Sequence, residues 1–179
     1  MPAAVDSVFE LAFWFADKAL NENEYLQPLK MQQLLFLAQS YYAVATKGKR
    51  LIPAVFVAGD RGPIEPSSYV AFTHGRPALE VNMFLDPDVE DFIDSIWRRF
   101  GHHSTEHLAK LTQRNPAYRE ARKHVPRTEI SLVAMQKSFT RAAETPSLDQ
   151  VVRPKLMRSQ SGKPVTVKAW QPPKAKSKP

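Results

Sequence analysis

A chain of 179 residues can bury one apolar core but is short for two independent ones, so we expect a single domain. It has no cysteine, which excludes disulfides, thiolate metal sites and a cysteine nucleophile. The formal net charge of +7 suggests a polyanionic partner. However, eight of the 25 basic residues and none of the 18 acidic ones lie in residues 151–179. Residues 1–150 therefore contain 17 basic and 18 acidic residues and are nearly neutral.

The start of the chain lacks the pattern of a secretory signal, since Asp6 and Glu10 interrupt the apolar residues that follow Met1. No apolar run approaches the roughly 20 residues that a bilayer-spanning helix needs. The sequence therefore predicts a cytoplasmic protein without membrane contact.

The first predicted helix, Val5 to Leu20, has two apolar faces. One face repeats at helical spacing and consists of Val5, Val8, Phe9, Ala12, Phe13, Ala16, Ala19 and Leu20. A second stripe of Leu11, Trp14 and Phe15 points away from it, so the helix is either sandwiched between other elements or meets a partner. Large aromatic side chains usually lie in the core, which favours sandwiching. A partner contact stays open, with Leu11 and Trp14 as candidate contact residues.

A second helix is predicted from Pro28, which suits a first helical position, to a C-terminal cap at Gly48. The residues from Leu51 to Ala58 are rich in β-branched and aromatic side chains, which predicts a short extended segment. The following stretch is Gly59-Asp60-Arg61-Gly62-Pro63-Ile64-Glu65-Pro66, and its two glycines and two prolines exclude regular helix. We refer to this stretch as the proline loop.

Cap and turn signals predict five further helices, which begin near Ser67, Asp86, Ser104, Asn115 and Thr128. The predicted fold class is mainly α: a single compact helical domain over residues 1–145, with six to seven helices and one short extended segment. After residue 145 large apolar residues become rare, while Pro, Lys, Ser and Gln increase. Such a segment buries too little apolar surface to offset its ordering entropy, so residues 146–179 are predicted to form a disordered basic tail.

Three motifs occur in an order that is typical of a known family. They are LKMQQLLFLAQSYY at residues 29–42, Gly62-Pro63-Ile64-Glu65-Pro66 followed by Tyr69, and Phe100-Gly101 followed by Ser104, Leu108 and Leu111-Thr112. Together they resemble the lysine-led second helix, the Gly-Pro-Val stretch with its downstream tyrosine, and the later helix of the Panacea domain, the SocA-type antitoxin family. The resemblance covers roughly residues 5–143.

The resemblance implies a function and two partners. Members of the family bind and neutralise a toxin protein encoded beside them, and SocA-like members deliver the toxin to the ClpXP protease. By this resemblance the chain is an antitoxin of a toxin–antitoxin system that binds a cognate toxin, and its tail is the candidate contact with a ClpXP-type protease. We expect no enzymatic activity and no cofactor.

Two motifs suggest other chemistry. His103-Ser104-Thr105-Glu106-His107 matches the H-x-x-E-H pattern of zinc peptidases, but Ser104 is a good N-cap, so His103 should lie in the preceding turn, off the helix face of His107. The proline loop contains glycines, as phosphate-binding loops do, but its prolines remove the N–H donors that phosphate binding needs. Neither motif predicts a metal, cofactor or catalytic site.

The proline loop is predicted to be either a rigid connector or a partner-contact loop. For the second case the candidate contact residues are Arg61, Ile64, Glu65 and Tyr69.

The basic tail has two predicted roles besides that of a solubilising extension. Its apolar residues alternate with polar ones, which suits a strand added to the sheet edge of another protein, with candidate contacts at Val165, Val167 and Trp170. Its lysines instead suit RNA or DNA, in a contact that weakens steeply with salt. A nucleic-acid-binding regulator is therefore the alternative function.

Overall fold

The computed structural model describes residues 2–81, 83–124, 128–141, 146–152, 156–158 and 164–166. These residues form a mainly helical fold with a small sheet, which confirms the predicted fold class. The helices are α1 (Val8–Asn21), α2 (Pro28–Ala45), α3 (Pro66–Phe72), α4 (Pro87–Ile96), a π-helical turn (Trp97–Gly101), α5 (Thr105–Gln113), α6 (Pro116–His124), α7 (Leu132–Arg141) and α8 (Leu148–Val152). The strands are β1 (Phe56–Gly59), β2 (Gly62–Ile64), β3 (Glu129–Ile130), β4 (Leu156–Arg158) and β5 (Pro164–Thr166). None of the helices in this part of the chain has the length and apolar content to cross a lipid bilayer.

Helix α1 is sandwiched between other elements. Ser7 caps it, since its hydroxyl oxygen accepts a hydrogen bond of 3.2 Å from the Phe9 backbone N–H. Leu11 and Phe15 of the second apolar stripe are fully buried, and the Phe15 ring lies 6.3 Å from the ring of Trp97 in the π-helical turn. The sandwiched alternative is therefore confirmed. The predicted partner contact at Leu11 is wrong, because the second stripe faces the core.

Helix α2 lies at the centre of the molecule. It packs against α1, α3, α4, α5, α7, α8, β2 and the π-helical turn, and every residue from Lys30 to Tyr41 is buried. Pro28 occupies its first turn, as predicted. Beyond its last residue, Gly48 adopts a positive φ of 100°, and its backbone N–H donates to the Ala43 carbonyl at 2.7 Å, so the chain turns away from the helix there.

Polar side chains of α2 bind the backbone of its neighbours. The Gln39 side-chain oxygen accepts a hydrogen bond of 3.1 Å from the Ile52 backbone N–H. With its amide oxygen turned toward α5, Gln33 accepts a bond of 3.2 Å from the Ala109 N–H and donates one of 3.3 Å to the Thr105 carbonyl. A buried amide that is hydrogen-bonded through both atoms, as in Gln33, costs little. Gln39 is bonded only through its oxygen, and its buried Nε2 has no hydrogen-bond partner among the described residues.

The sheet has the strand order β2-β1-β3, and both pairs are antiparallel. Only the last part of the predicted extended segment is strand, because Leu51 and Ile52 precede β1 as a fully buried bend. The proline loop is more regular than predicted: Gly59 pairs with Gly62 across a two-residue turn, and β2 continues to Ile64. The loop thus forms most of a hairpin.

Helices α4 to α6 begin directly after the predicted cap residues, whereas the predicted start of α7 at Thr128 is wrong, because β3 lies between Thr128 and α7. The Asp86 carboxylate accepts from the Asp88 N–H at 3.0 Å, and the Ser104 hydroxyl oxygen accepts from the His107 N–H at 3.2 Å. Asn115 accepts from the Ala117 N–H at 2.9 Å and from the Ser138 hydroxyl at 3.0 Å, which joins the start of α6 to α7. These local signals were readable from the sequence because each cap bonds within its own first turn.

Helix α8 was not predicted. It packs against α4, and its Val151 is only 2% exposed. The Tyr41 hydroxyl donates a hydrogen bond of 2.7 Å to the Pro146 carbonyl just before it. The predicted boundary after residue 145 is therefore wrong, since residues 146–152 belong to the packed body.

Candidate functional site

The proline loop forms a tight hairpin with Asp60 and Arg61 at its tip. Gly62 adopts a positive φ of 132°, which an L side chain rarely takes. A Cβ at Gly59 would lie 2.4 Å from the Ile64 Cδ1, so this position has no space for a side chain. Both glycines are required for strand β2 to return directly beside β1.

Helix α6 fixes this tip from the other side. The Tyr118 hydroxyl donates to the Gly59 carbonyl at 2.6 Å, and an Arg122 Nη1 donates to the same carbonyl at 3.0 Å. The same nitrogen lies 3.1 Å from the Asp60 carboxylate, and this hydrogen bond raises the Arg122 pKa. Asp60 therefore has an ionic partner within the molecule, whereas Arg61 is exposed and forms no ion pair with another described residue.

Glu65, the residue after β2, links the hairpin to α2 and α3. Its carboxylate caps α3 by accepting from the Ser67 N–H at 3.2 Å and the Ser68 N–H at 2.7 Å. Its own backbone N–H donates to the Gln32 side-chain oxygen of α2 at 2.7 Å, and the Gln32 amide donates to the Ser68 hydroxyl at 3.0 Å. Glu65 is only 4% exposed, so its predicted contact with a partner is wrong. Its carboxylate is used to hold α3 against α2.

The hairpin and α3 enclose a groove of about 430 Å³. Val57 and Ile64 are directly opposite each other on β1 and β2 and form one wall, because cross-strand partners share a face of the sheet. The groove is also lined by Leu29, Arg61, Tyr69 and Val70. We call this the α3 groove. It brings together three of the predicted contact residues, Arg61, Ile64 and Tyr69.

The α3 groove also contains residues that were not predicted. Val70 is 70% exposed on the outer face of α3, and Leu29 and Val57 line the groove beside it. A second groove of about 450 Å³ lies on the other side of α3, where Leu20 and Tyr25 are exposed. The sequence signal for Val70 was its position next to Tyr69 at the start of a short helix, whereas the grooves form only when α3 packs on α2.

Trp14 is half-buried and does not belong to either groove. Its indole N–H donates to the Glu90 carboxylate of α4 at 3.3 Å, and its ring packs edge-on against Phe15 at 5.5 Å. The Lys18 ammonium lies 5.6 Å from the ring centre. The structure therefore places the predicted contact at Trp14 on the α1–α4 side, apart from Arg61, Ile64 and Tyr69.

The tail candidates lie mostly outside the described residues, which exclude Val167 and Trp170. Val165 is in β5, where it pairs with Met157 of β4 in antiparallel register. The strand predicted for another protein's sheet edge thus has a partner strand within this chain.

His103 and His107 are close in space although Ser104 separates them as the N-cap of α5, as predicted. Their rings stack with centroids 4.4 Å apart and planes at 22°. The nitrogen lone pairs of an imidazole lie in its ring plane, and two stacked rings have separate planes, so this arrangement does not suit joint coordination of one ion. Over the described ranges, no three His, Asp or Glu side chains form a group that could hold a metal ion.

Comparison with protein-family models, with curated proteins and with solved structures gives no match for this chain.

Proposed function

We propose that this chain is an antitoxin, a protein-binding module that neutralises a cognate toxin protein. The observation that supports the proposal is the α3 groove, in which apolar Val57, Ile64 and Val70 adjoin Tyr69 and the exposed cation Arg61. An apolar centre with an aromatic side chain and an arginine at its rim is typical of protein-binding surfaces. The hairpin and α3 are held by buried hydrogen bonds, so the surface is formed before any partner binds.

The choice of a toxin as the partner is supported by the motifs that resemble the Panacea domain. The central-helix motif lies on α2, and the Gly-Pro-Ile-Glu-Pro motif with Tyr69 lies on the hairpin and α3. These two motifs are joined by the hydrogen bond that the Glu65 backbone N–H donates to the Gln32 side-chain oxygen. In this proposal the family-like residues build the groove, and the side chains that line it select the partner.

Co-expression with the product of the neighbouring reading frame tests the proposal. We expect the two proteins to co-purify and the antitoxin to restore growth. Val70→Asp should weaken the complex about tenfold or more, because it places a charge in the apolar centre. Val133→Asp, at an exposed position on α7, is the matched control and should bind normally. A neighbouring product that is not bound, or equal binding by both variants, would contradict the proposal.

Delivery of the toxin to a ClpXP-type protease is the second part of the proposal, and it assigns the tether to residues after Val152. Linking two weak contacts through one chain can raise the effective affinity by roughly a hundredfold. A chain that ends at residue 152 should still bind the toxin but should no longer accelerate its degradation. Unchanged degradation by the shortened chain would exclude this tether.

The alternative, a nucleic-acid-binding regulator, is favoured by one observation: residues 153–179 contain eight basic residues and no acidic one. Binding through these charges alone should fall steeply as salt is raised, whereas a complex with an apolar centre should resist salt. Titration of a DNA duplex and of the toxin against the full chain, at low and moderate salt, separates the two functions.

A further inference from the structure

The segment that leads into α4 combines exposed apolar side chains with negative charge. Phe84 is 92% exposed, and Leu79 and Met83 are also exposed. The exposed carboxylates of Asp86, Asp88, Glu90 and Asp91 follow directly, and none of them forms an ion pair with another described residue. We call these seven residues the acidic face: Leu79, Met83, Phe84, Asp86, Asp88, Glu90 and Asp91. It presents both an apolar and an anionic contact surface.

The negative charge of this face acts on its surroundings. The pKa of Tyr42 is raised by burial and, in addition, by the charges of Asp86 and Asp88. Asp94, one turn further along α4, is different, because Lys18 and Arg98 both bind its carboxylate. The carboxylates at the start of α4 therefore have no ion-pair partner among the described residues, whereas the charge of Asp94 near its end is neutralised by Lys18 and Arg98.

The chain leaves the packed body beside this face. Helix α8 lies on α4, with Val151 buried. Gln150 and Val152 of α8 line a crevice of about 400 Å³ together with Asp91 and Ser95 of α4 and with Arg98 and Arg99 of the π-helical turn, so this crevice carries both signs of charge. Helix α4 has 10 residues, so its two ends are about 15 Å apart. Val152, the last residue of α8, therefore lies within about 15 Å of the acidic face.

The register of the second hairpin brings Thr166 back beside Leu156. Strands β4 and β5 are antiparallel, with Leu156 paired to Thr166. Leu156 follows Val152 by four positions, so the two residues are at most about 14 Å apart. The pairing thus keeps Thr166, the last described residue, near the end of α8, although it follows Val152 by 14 positions.

The charges of the two parts are complementary. Residues 167–179 contain four lysines, one tryptophan and no acidic residue. We propose that this segment docks on the acidic face of its own chain, with lysines such as Lys168 near the carboxylates and Trp170 against Met83 and Phe84. Each exposed ion pair is weak, but a tethered segment has an effective concentration on the order of mM, so weak contacts suffice. The docked segment is withheld from other partners, and a competitor must displace it. This inference does not depend on the toxin.

Engineered cysteines test the contact, because the chain has none of its own. In the full chain, Met83→Cys with Ala169→Cys should form an intramolecular disulfide under mild oxidation. We expect it to form about tenfold faster at low salt than the disulfide of the control pair Val133→Cys with Ala169→Cys. The control position is the more exposed of the two, so exposure alone favours the control. In about 1 M salt, where the Debye length is about 3 Å, the difference should shrink.

Charge neutralisation provides the second measurement. Asp88→Asn with Asp91→Asn should slow disulfide formation by the Met83 and Ala169 cysteines toward the rate of the control pair. Glu106→Gln with Glu129→Gln removes the same charge at exposed positions elsewhere and should leave the rate unchanged. Equal rates for the two cysteine pairs, or no effect of the aspartate substitutions, would overturn the proposal. Disulfides only between chains would also overturn it and would assign the face to a second copy.

Discussion

Gly59 determines how closely the two strands of the first hairpin approach. Gly59→Ala should lower the free energy of unfolding by about 1–3 kcal/mol, because the added Cβ overlaps the Ile64 side chain. Chemical denaturation measures this loss. Ile64→Ala removes both overlapping atoms, so the double variant should be less destabilised than the sum of the two single variants. Strict additivity would show that the overlap is not the cause.

His103 makes the stability depend on pH. Burial lowers its pKa below the ordinary 6.5, and the positive groups of His107, Arg99, His102 and Lys30 lower it further. The folded state thus prefers the neutral imidazole, while the unfolded state binds a proton at about pH 6.5. The free energy of unfolding should be highest above that pH, fall as the pH drops through it, and level off below the folded-state pKa.

Denaturation at several pH values between about 5 and 8 tests this dependence. His103→Gln should flatten the profile, because the variant has no imidazole to protonate at this position. His74→Gln, at the exposed end of α3, is the control and should keep the wild-type profile. A wild-type profile in the His103 variant would assign the pH dependence to other groups.

For single residues, the sequence predicted the features that depend on contacts between residues close together along the chain. Ser104 and Asp86 were identified as caps because each bonds to a backbone N–H two or three residues away. Leu11 and Glu65 were wrongly expected at the surface. Leu11 is buried in the apolar core, and the Glu65 backbone N–H binds Gln32, 33 positions away, so no local pattern encodes this burial.

Helix α3 is short, and its position depends on its cap. Glu65→Ala removes two hydrogen bonds to the first turn and should cost about 1–2 kcal/mol of unfolding free energy. The same substitution at exposed Glu129 should change stability by less than about 0.5 kcal/mol. Toxin binding should weaken only in the Glu65 variant, because α3 carries Tyr69 and Val70.

Helix α8 offers a direct test of the domain boundary. A chain that ends at residue 152 should unfold at the same denaturant concentration as the full chain. A chain that ends at residue 145 should be less stable by about 2 kcal/mol, since it loses the burial of Val151. If both shortened chains were equally stable, α8 would not belong to the body.

Elements were predicted where a pattern was long enough to repeat. Helices α1 and α2 have 14 and 18 residues and were found by periodicity, and α4 to α6 were found by their caps. The starts of α3 and α7 were predicted at Ser67 and Thr128, whereas the side chains of Glu65 and Ser131 bind the backbone of their first turns. Helix α8 has five residues, fewer than two turns, so no period is visible. Strand β2 was missed because its three residues include a glycine and a proline, which favour turns in most settings.

For the whole molecule, the fold class could be predicted from the sequence, but the shape of the binding surface could not. The helical periods and the absence of long alternating runs defined a mainly α fold. The candidate site was half predicted: Arg61, Ile64 and Tyr69 came from one motif, whereas Leu29 and Val57 join them from α2 and β1. A groove between elements exists only after they pack, so the sequence named residues of the site but not its shape.

The enclosed position of α2 has a consequence for how the protein opens. Because eight other elements pack against this helix, its amide hydrogens can reach solvent only when those elements separate together. In hydrogen–deuterium exchange the amides of residues 30–41 should be the slowest in the chain and should all exchange with the free energy of global unfolding. A processive unfolding machine that pulls on either end of this body therefore meets one cooperative barrier rather than a series of small ones.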